Sequence, residues 1–191
     1  MMLRLILSMI VVLGLWAGTP VAGSAQAGGW NKLVGVADLS ALMVEGGVTL
    51  LDIRAPEDYA KGHLAGALSA PYGTWRGPQD NPGLELSDAA LTERLQSLGI
   101  TPQSRVAITY EGKDSTDFGA AARVYWTLKS AGLTEIAILN GGITAWRAAG
   151  RGLSVTPGEV DRSDATFTLS RDWMIDRAGV EAVLSGVRQS T

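Results

Sequence analysis

Few residues in this 191-residue chain could do chemistry. There is no cysteine, and His63 is the one histidine. Lack of cysteine removes disulfides, thiolate metal sites and cysteine nucleophiles together. One histidine leaves a histidine-built zinc site with a single ligand, and any Ser-His-Asp triad has only His63 to draw on. What remains is carboxylate, hydroxyl and guanidinium chemistry in three places. Asp52 and Arg54 follow the apolar run Val48-Thr49-Leu50-Leu51 as an Asp-x-Arg pair. The stretch Glu111-Gly112-Lys113-Asp114-Ser115-Thr116-Asp117 sets one lysine against three carboxylates, a net charge of −2. Gly141-Gly142 offers a tight turn where a helix can approach a strand closely.

Each place has a plain reading. Asp52 is expected to tie loops through hydrogen bonds, with Arg54 paired to it or to a neighbouring carboxylate. Ser115 has no general base beside it and reads as the cap of a helix starting at Asp117. A hydrolase joining Asp114 or Asp117 to His63 would have no nucleophile–base pair. Glu111, Asp114 and Asp117 could face a cation on paper, but their spacing fits no EF-hand loop. No metal and no cofactor is therefore expected. His63, between Gly62 and Leu64, reads as a hydrogen-bonded structural residue. Trp126 and Trp146 read as core or domain-contact residues on helices.

The surrounding sequence must position these groups. Hydrophobic residues make up 46% of the chain and charged residues 18%, with a net charge of −3. That balance excludes a disordered acidic tail, and with no lysine/arginine cluster it excludes a nucleic-acid footprint. The N-terminus carries Arg4, a 14-residue apolar run and Ala25-Gln26-Ala27. This is the pattern of a secretory signal peptide over residues 1–27, too short in its apolar run for the ~20 residues of a membrane span. Cleavage after Ala27 is expected, with export to a bacterial periplasm and no membrane association afterwards. From residue 36 onward, short helices alternate with β-rich runs at 48–53, 67–71, 105–110 and 135–139. Helices are expected at 37–43, 56–60, 117–131 and from Gly141 to Ala149, and Ser87 caps another that ends at Gly99. Such alternation predicts an α/β fold with a parallel sheet of about five strands and helices on both faces.

Several pieces, in order, carry a family resemblance. They are Leu51-Asp52-Ile53-Arg54, Glu57-Asp58-Tyr59, Gly62-His63-Leu64-Ala65-Gly66-Ala67, the strand Val106-Ala107-Ile108-Thr109-Tyr110, and Leu139-Asn140-Gly141-Gly142-Ile143 with Trp146 and Gly150. Together they resemble rhodanese domains from Asn31 to Gly150. Ala121-Ala122-Arg123-Val124-Tyr125-Trp126 is similar to the N-terminal, non-catalytic half of tandem-domain thiosulfate or 3-mercaptopyruvate sulfurtransferases. The resemblance implies the three-layer rhodanese-like fold. It also implies a cysteine directly after the strand ending at Tyr110, in a loop whose N–H groups converge on a persulfide. Here that position is Glu111. A carboxylate cannot carry the transferred sulfur, so the chain is expected to be catalytically inactive alone.

The resemblance divides the chain into a signal peptide (1–27), a rhodanese-like domain (28–150), a linker (151–171) and a C-terminal helical segment (172–191). Shifted by 141 residues, 36–43 lies over 177–184, with apolar residues at comparable positions. This fits the start of a second rhodanese domain. The chain is then expected to be the structural half of a sulfurtransferase, partnered by a second rhodanese domain or another protein. The alternative is a stand-alone cysteine-free module that binds a protein or small ligand through the 111–117 loop. The surroundings of Trp126 and Trp173 separate the two, since an exposed apolar patch there marks a docking face.

Overall fold

Three short runs, Val48–Asp52, Arg105–Thr109 and Ile136–Leu139, carry apolar side chains at successive positions, as a strand covered on both faces requires. In the computed structural model, which describes residues 32–186, they are β2, β4 and β5. Two-residue strands β1 (Leu33–Val34) and β3 (Leu68–Ser69) complete a five-stranded sheet in the order β1-β5-β4-β2-β3, parallel throughout. The α/β class and its central parallel sheet are thus as expected, although β1 is too short to show a period and was not anticipated. The signal-peptide reading of 1–27 lies outside the described residues. Among those described, no helix is long and apolar enough to cross a membrane.

Alternation along each strand sends side chains to two separate cores. Leu51, Val106, Ile108, Ile136 and Ile138 pack on one face with α3 (Asp88–Ser97), α4 (Ser115–Ser130) and Trp75. Leu50, Ala107, Ala137 and Leu139 pack on the other with α1 (Val36–Glu45), α2 (Pro56–Lys61) and α5 (Gly142–Ala148). A 3-10 turn, Tyr72–Trp75, opens the loop after β3 and buries Trp75 completely.

Helix ends follow local chemistry, with two shifts from expectation. Ser87 caps α3 by accepting from the Ala90 amide, as its residue type predicts. Gly99 follows the α3 cap, Leu98, rather than forming it. On α4, Asp114 and not Ser115 is the cap: its Oδ1 accepts from the Asp117 amide at 2.9 Å, and Ser115 is the first helical residue. The helix therefore starts two residues before Asp117.

Residues 151–171 connect the sheet domain to the last helix, α6 (Arg177–Leu184), without regular structure of their own, yet they are fastened to the domain along their length. Ser154 and His63 exchange both backbone hydrogen bonds. Ser163 donates from its hydroxyl to the Ile100 carbonyl at 2.7 Å, and Phe167 enters the α3–α4 core. Gly158 runs so near the turn after α2 that a Cβ there would sit 2.6 Å from the Gly66 and Ala67 carbonyl oxygens. This strap is part of the folded unit, which reaches about twenty residues past Gly150.

Candidate functional site

The C-terminal ends of adjacent parallel strands are where α/β folds gather functional groups. Asp52 closes β2, and Glu111 lies two residues beyond the end of β4, its registered neighbour. Arg54 reaches between them. Its backbone N–H, Nε and Nη2 all donate to the Asp52 carboxylate, Nη2 at 2.7 Å, and Nη2 also donates to the Gly62 carbonyl at 2.7 Å. Only Nη1 is left, and it donates to Glu111 Oε2 at 3.0 Å. Both members of the Asp52–Arg54 pair are buried. Burial alone would lower the Arg54 pKa; the hydrogen bonds and charges of Asp52 and then Glu111 outweigh it and raise the value.

Glu111 is held from a second side. Arg147, on α5, donates from Nη1 to Glu111 Oε1 at 2.8 Å. Partial burial would push the Glu111 carboxyl up, but hydrogen bonds and charge from Arg54 and Arg147 hold it below its ordinary value. Tight backbone packing brings α5 this close. Ile143 donates to the Tyr110 carbonyl, and Thr144 donates from both its amide and its hydroxyl to the Glu111 carbonyl. Gly142, at φ +59°, has no room for a side chain, since a Cβ would collide with the Tyr110 carbonyl oxygen. Gly141, at φ +74°, caps the helix in the left-handed region that glycine alone enters without cost.

The rest of the loop satisfies itself. Asp117 bends back so that Oδ2 accepts from the amides of Gly112 and Lys113, at 2.9 and 3.1 Å. Ser115 and Thr116 are exposed on the first turn of α4, and Lys113 and Asp114 are exposed before it. His63 is elsewhere. Its ring stacks on Tyr59 with centroids 3.8 Å apart, Nδ1 lies 2.9 Å from the Tyr59 carbonyl oxygen and Nε2 lies 2.8 Å from that of Thr156. With both nitrogens so engaged, His63 is no base for Asp114, Asp117 or Ser115. Arg123 is also remote from Glu111, more than two turns along α4; its Nη2 donates to the Gly83 carbonyl and its guanidinium lies over the Trp126 ring. Trp146 is a core residue whose indole donates to the Gly152 carbonyl at 3.0 Å.

Residues 35–149 match the rhodanese-like domain family. The chain belongs to that family. A thiosulfate sulfurtransferase of Azotobacter vinelandii is 32% identical over 151 residues, which are 75% of this chain and 54% of that protein. A thiosulfate sulfurtransferase of Pseudomonas aeruginosa is 34% identical over 105 residues, 54% of this chain and 37% of that protein. The chain thus spans about half the length, or less, of these curated relatives. In fold it is similar to the crystal structure of SseA, a 3-mercaptopyruvate sulfotransferase from Escherichia coli. The TM-score is 0.67 at 17% identity, covering 82% of this chain and 62% of that one.

In this rhodanese-like chain the loop after β4 presents Glu111 to two guanidiniums. The entire sequence has no thiol. One site residue was missed from sequence: Arg147. Its signal was present, because Thr144 and Arg147 lie three apart on one face of the helix that Gly141-Gly142 presses against the loop. Counted with Arg54 and Arg147, the 111–117 loop is not the bare anionic surface that its own charge of −2 implied.

Proposed function

We propose that this chain is the non-catalytic, structural half of an exported sulfurtransferase of the thiosulfate/3-mercaptopyruvate class. The observation that carries the reading is Glu111, clamped by Arg54 and Arg147 at the position of the family's sulfur-carrying cysteine. A persulfide cannot form on it, and the arrangement leaves no free nucleophile in its place.

Surface chemistry at the C-terminal end supports a docking role over an independent binding module. Trp173 is 53% exposed and Ile175 55%, and Leu84 is also exposed. The Trp126 indole donates to the Trp173 carbonyl, which ties this apolar surface to α4. Helix α6 repeats the apolar spacing of α1 at a shift of 141 residues but buries none of it. Leu39 in α1 is completely buried, whereas Val180 at the matching position of α6 is 42% exposed and Leu184, matching Met43, is 81% exposed. An amphipathic helix with no buried residue suits a second rhodanese sheet. Export is read from the N-terminal signal pattern, and the working location is then the periplasm.

Sulfur transfer from thiosulfate to cyanide tests the proposal. The purified chain is expected to give no rate above a buffer blank. Joined to a cysteine-bearing rhodanese domain encoded at the same locus, it is expected to support turnover. A rate from the chain alone overturns the reading, and a locus encoding no such domain favours the binding module.

A further inference from the structure

The two groups of the loop that would attract an anion are both already taken by side chains of the loop itself. Arg54 is buried, and three of its four donor groups are fixed by Asp52 and Gly62; Nη1 alone faces the loop, and its acceptor is Glu111. Arg147 Nη1 faces the same carboxylate from α5. The amides of Gly112 and Lys113 converge on one oxygen of Asp117. Convergent backbone amides and paired guanidiniums are the two devices with which proteins hold oxyanions.

We propose that Glu111 is an internal plug: its carboxylate occupies a latent site for a small sulfur oxyanion, formed by Arg54 Nη1 and Arg147 Nη1. Carboxylates and sulfur oxyanions both present pairs of negative oxygens, so the same two donors serve either. Glu111 holds them intramolecularly, where its tether gives a high effective concentration that a free anion must overcome. A guanidinium pair left without its carboxylate would face a gap with two positive charges, since Asp52 is already engaged and Asp58, which feels Arg54, is paired with Lys61. Asp117 blocks the adjoining amides in the same manner, so an anion admitted at the guanidiniums would gain those amides only if Asp117 also withdrew. The wild-type loop is thus kept from holding an anion such as thiosulfate.

Calorimetric titration of the purified full chain with sodium thiosulfate and, separately, sodium sulfate tests the plug, at low ionic strength with chloride as the balancing control. Wild type is expected to show no saturable binding. Glu111→Ala is expected to give saturable binding of both anions, at least about tenfold tighter than the weakest affinity the titration can detect for wild type, which is the size of one charge-assisted contact. The double variant Glu111→Ala/Arg147→Gln is expected to lose that gain. A rise in melting temperature with thiosulfate, for Glu111→Ala and not for wild type, is the second readout. If Glu111→Ala does not fold, Glu111→Ser carries the test, because it withdraws the carboxylate from both guanidiniums and keeps a polar group. Equal binding by wild type and variant overturns the proposal, as does a folded variant that binds neither anion. Since anion binding is measured and not sulfur transfer, a failed plug leaves the structural-half role standing, and the converse also holds.

Discussion

Two consecutive segments follow the last helix of the sheet domain, and they are opposites. Residues 151–171 have no helix and no strand ladder, yet His63 and Ser154 clasp one end, and Phe167 is buried at the other. Between them Gln96 donates to the Ala165 carbonyl, and Thr92 both donates to the Phe167 carbonyl and accepts from its amide. Residues 172–186 include α6, a regular helix capped by Asp176, but no residue of that helix is buried. Regular secondary structure and attachment to a domain are therefore separate properties. A segment is held by what it buries and by the hydrogen bonds it satisfies at the domain surface, whereas a capped helix of eight residues gains little from its own ladder.

The largest effect expected from this difference is on folding. A chain stopped after Gly150 loses Phe167 from the α3–α4 core and the Thr156 carbonyl from His63. Such a chain is expected to lose its cooperative thermal transition and near-UV signal. Retention of both would reassign the strap to a mere connection. Phe167→Ala narrows the cause to one side chain. Burial of this ring predicts a loss of about 3–5 kcal/mol in urea unfolding. That is a large share of the ~5–15 kcal/mol that holds a domain together. A loss below about 1 kcal/mol would place the strap's hold in its hydrogen bonds instead.

The same contrast explains what the sequence discloses. Val106-Ala107-Ile108 and Ile136-Ala137-Ile138-Leu139 announce buried strands because each residue in turn meets one of two cores. Ser87 announces its helix because capping is decided within four residues. The strap is illegible because its anchors are single residues at irregular spacing, and nothing local tells Phe167 that α3 and α4 leave room for it. Ser115 and Asp114 are both capping residue types, and the choice fell to the one whose oxygen reached the Asp117 amide. From the family pattern Glu111 was legible only as the residue expected at the cysteine position. Its clamp was not, because Arg54 and Arg147 are 57 and 36 residues away and meet it only when the sheet closes.

A smaller effect tests whether charge as well as burial fastens the strap. Arg162 pairs with Glu93 on α3, its Nη1 at 2.7 Å from Oε1, and also donates to Gln96. These hydrogen bonds hold the Glu93 carboxyl below its ordinary value. A carboxyl depressed in the folded state contributes stability that is complete above its unfolded pKa of about 4.3 and is lost as pH falls through the folded value. Glu93→Gln is therefore expected to melt slightly below wild type at neutral pH and to match it once pH has fallen below the folded-state value. Both side chains are exposed, so added salt should also close the gap. A difference that persists in acid and in salt would show that Glu93 acts through packing.

The smallest effect on stability belongs to α6, and it is the most informative about function. Val180 and Leu184 are exposed apolar residues, and no residue of their helix is buried. Replacing both with serine removes no fully buried side chain, so urea unfolding of the sheet domain is expected to shift by no more than about 0.5 kcal/mol. If α6 instead seats on a second rhodanese domain, the same pair of substitutions should weaken that association strongly, because contacts neutral to the fold become the apolar centre of an interface. Sedimentation of the chain with a separately expressed cysteine-bearing domain reads this directly. Stability held and association lost would mark α6 as reserved for a partner. Stability lost would mean that α6 serves this domain, and that the strap and the tail differ less than their burial implies.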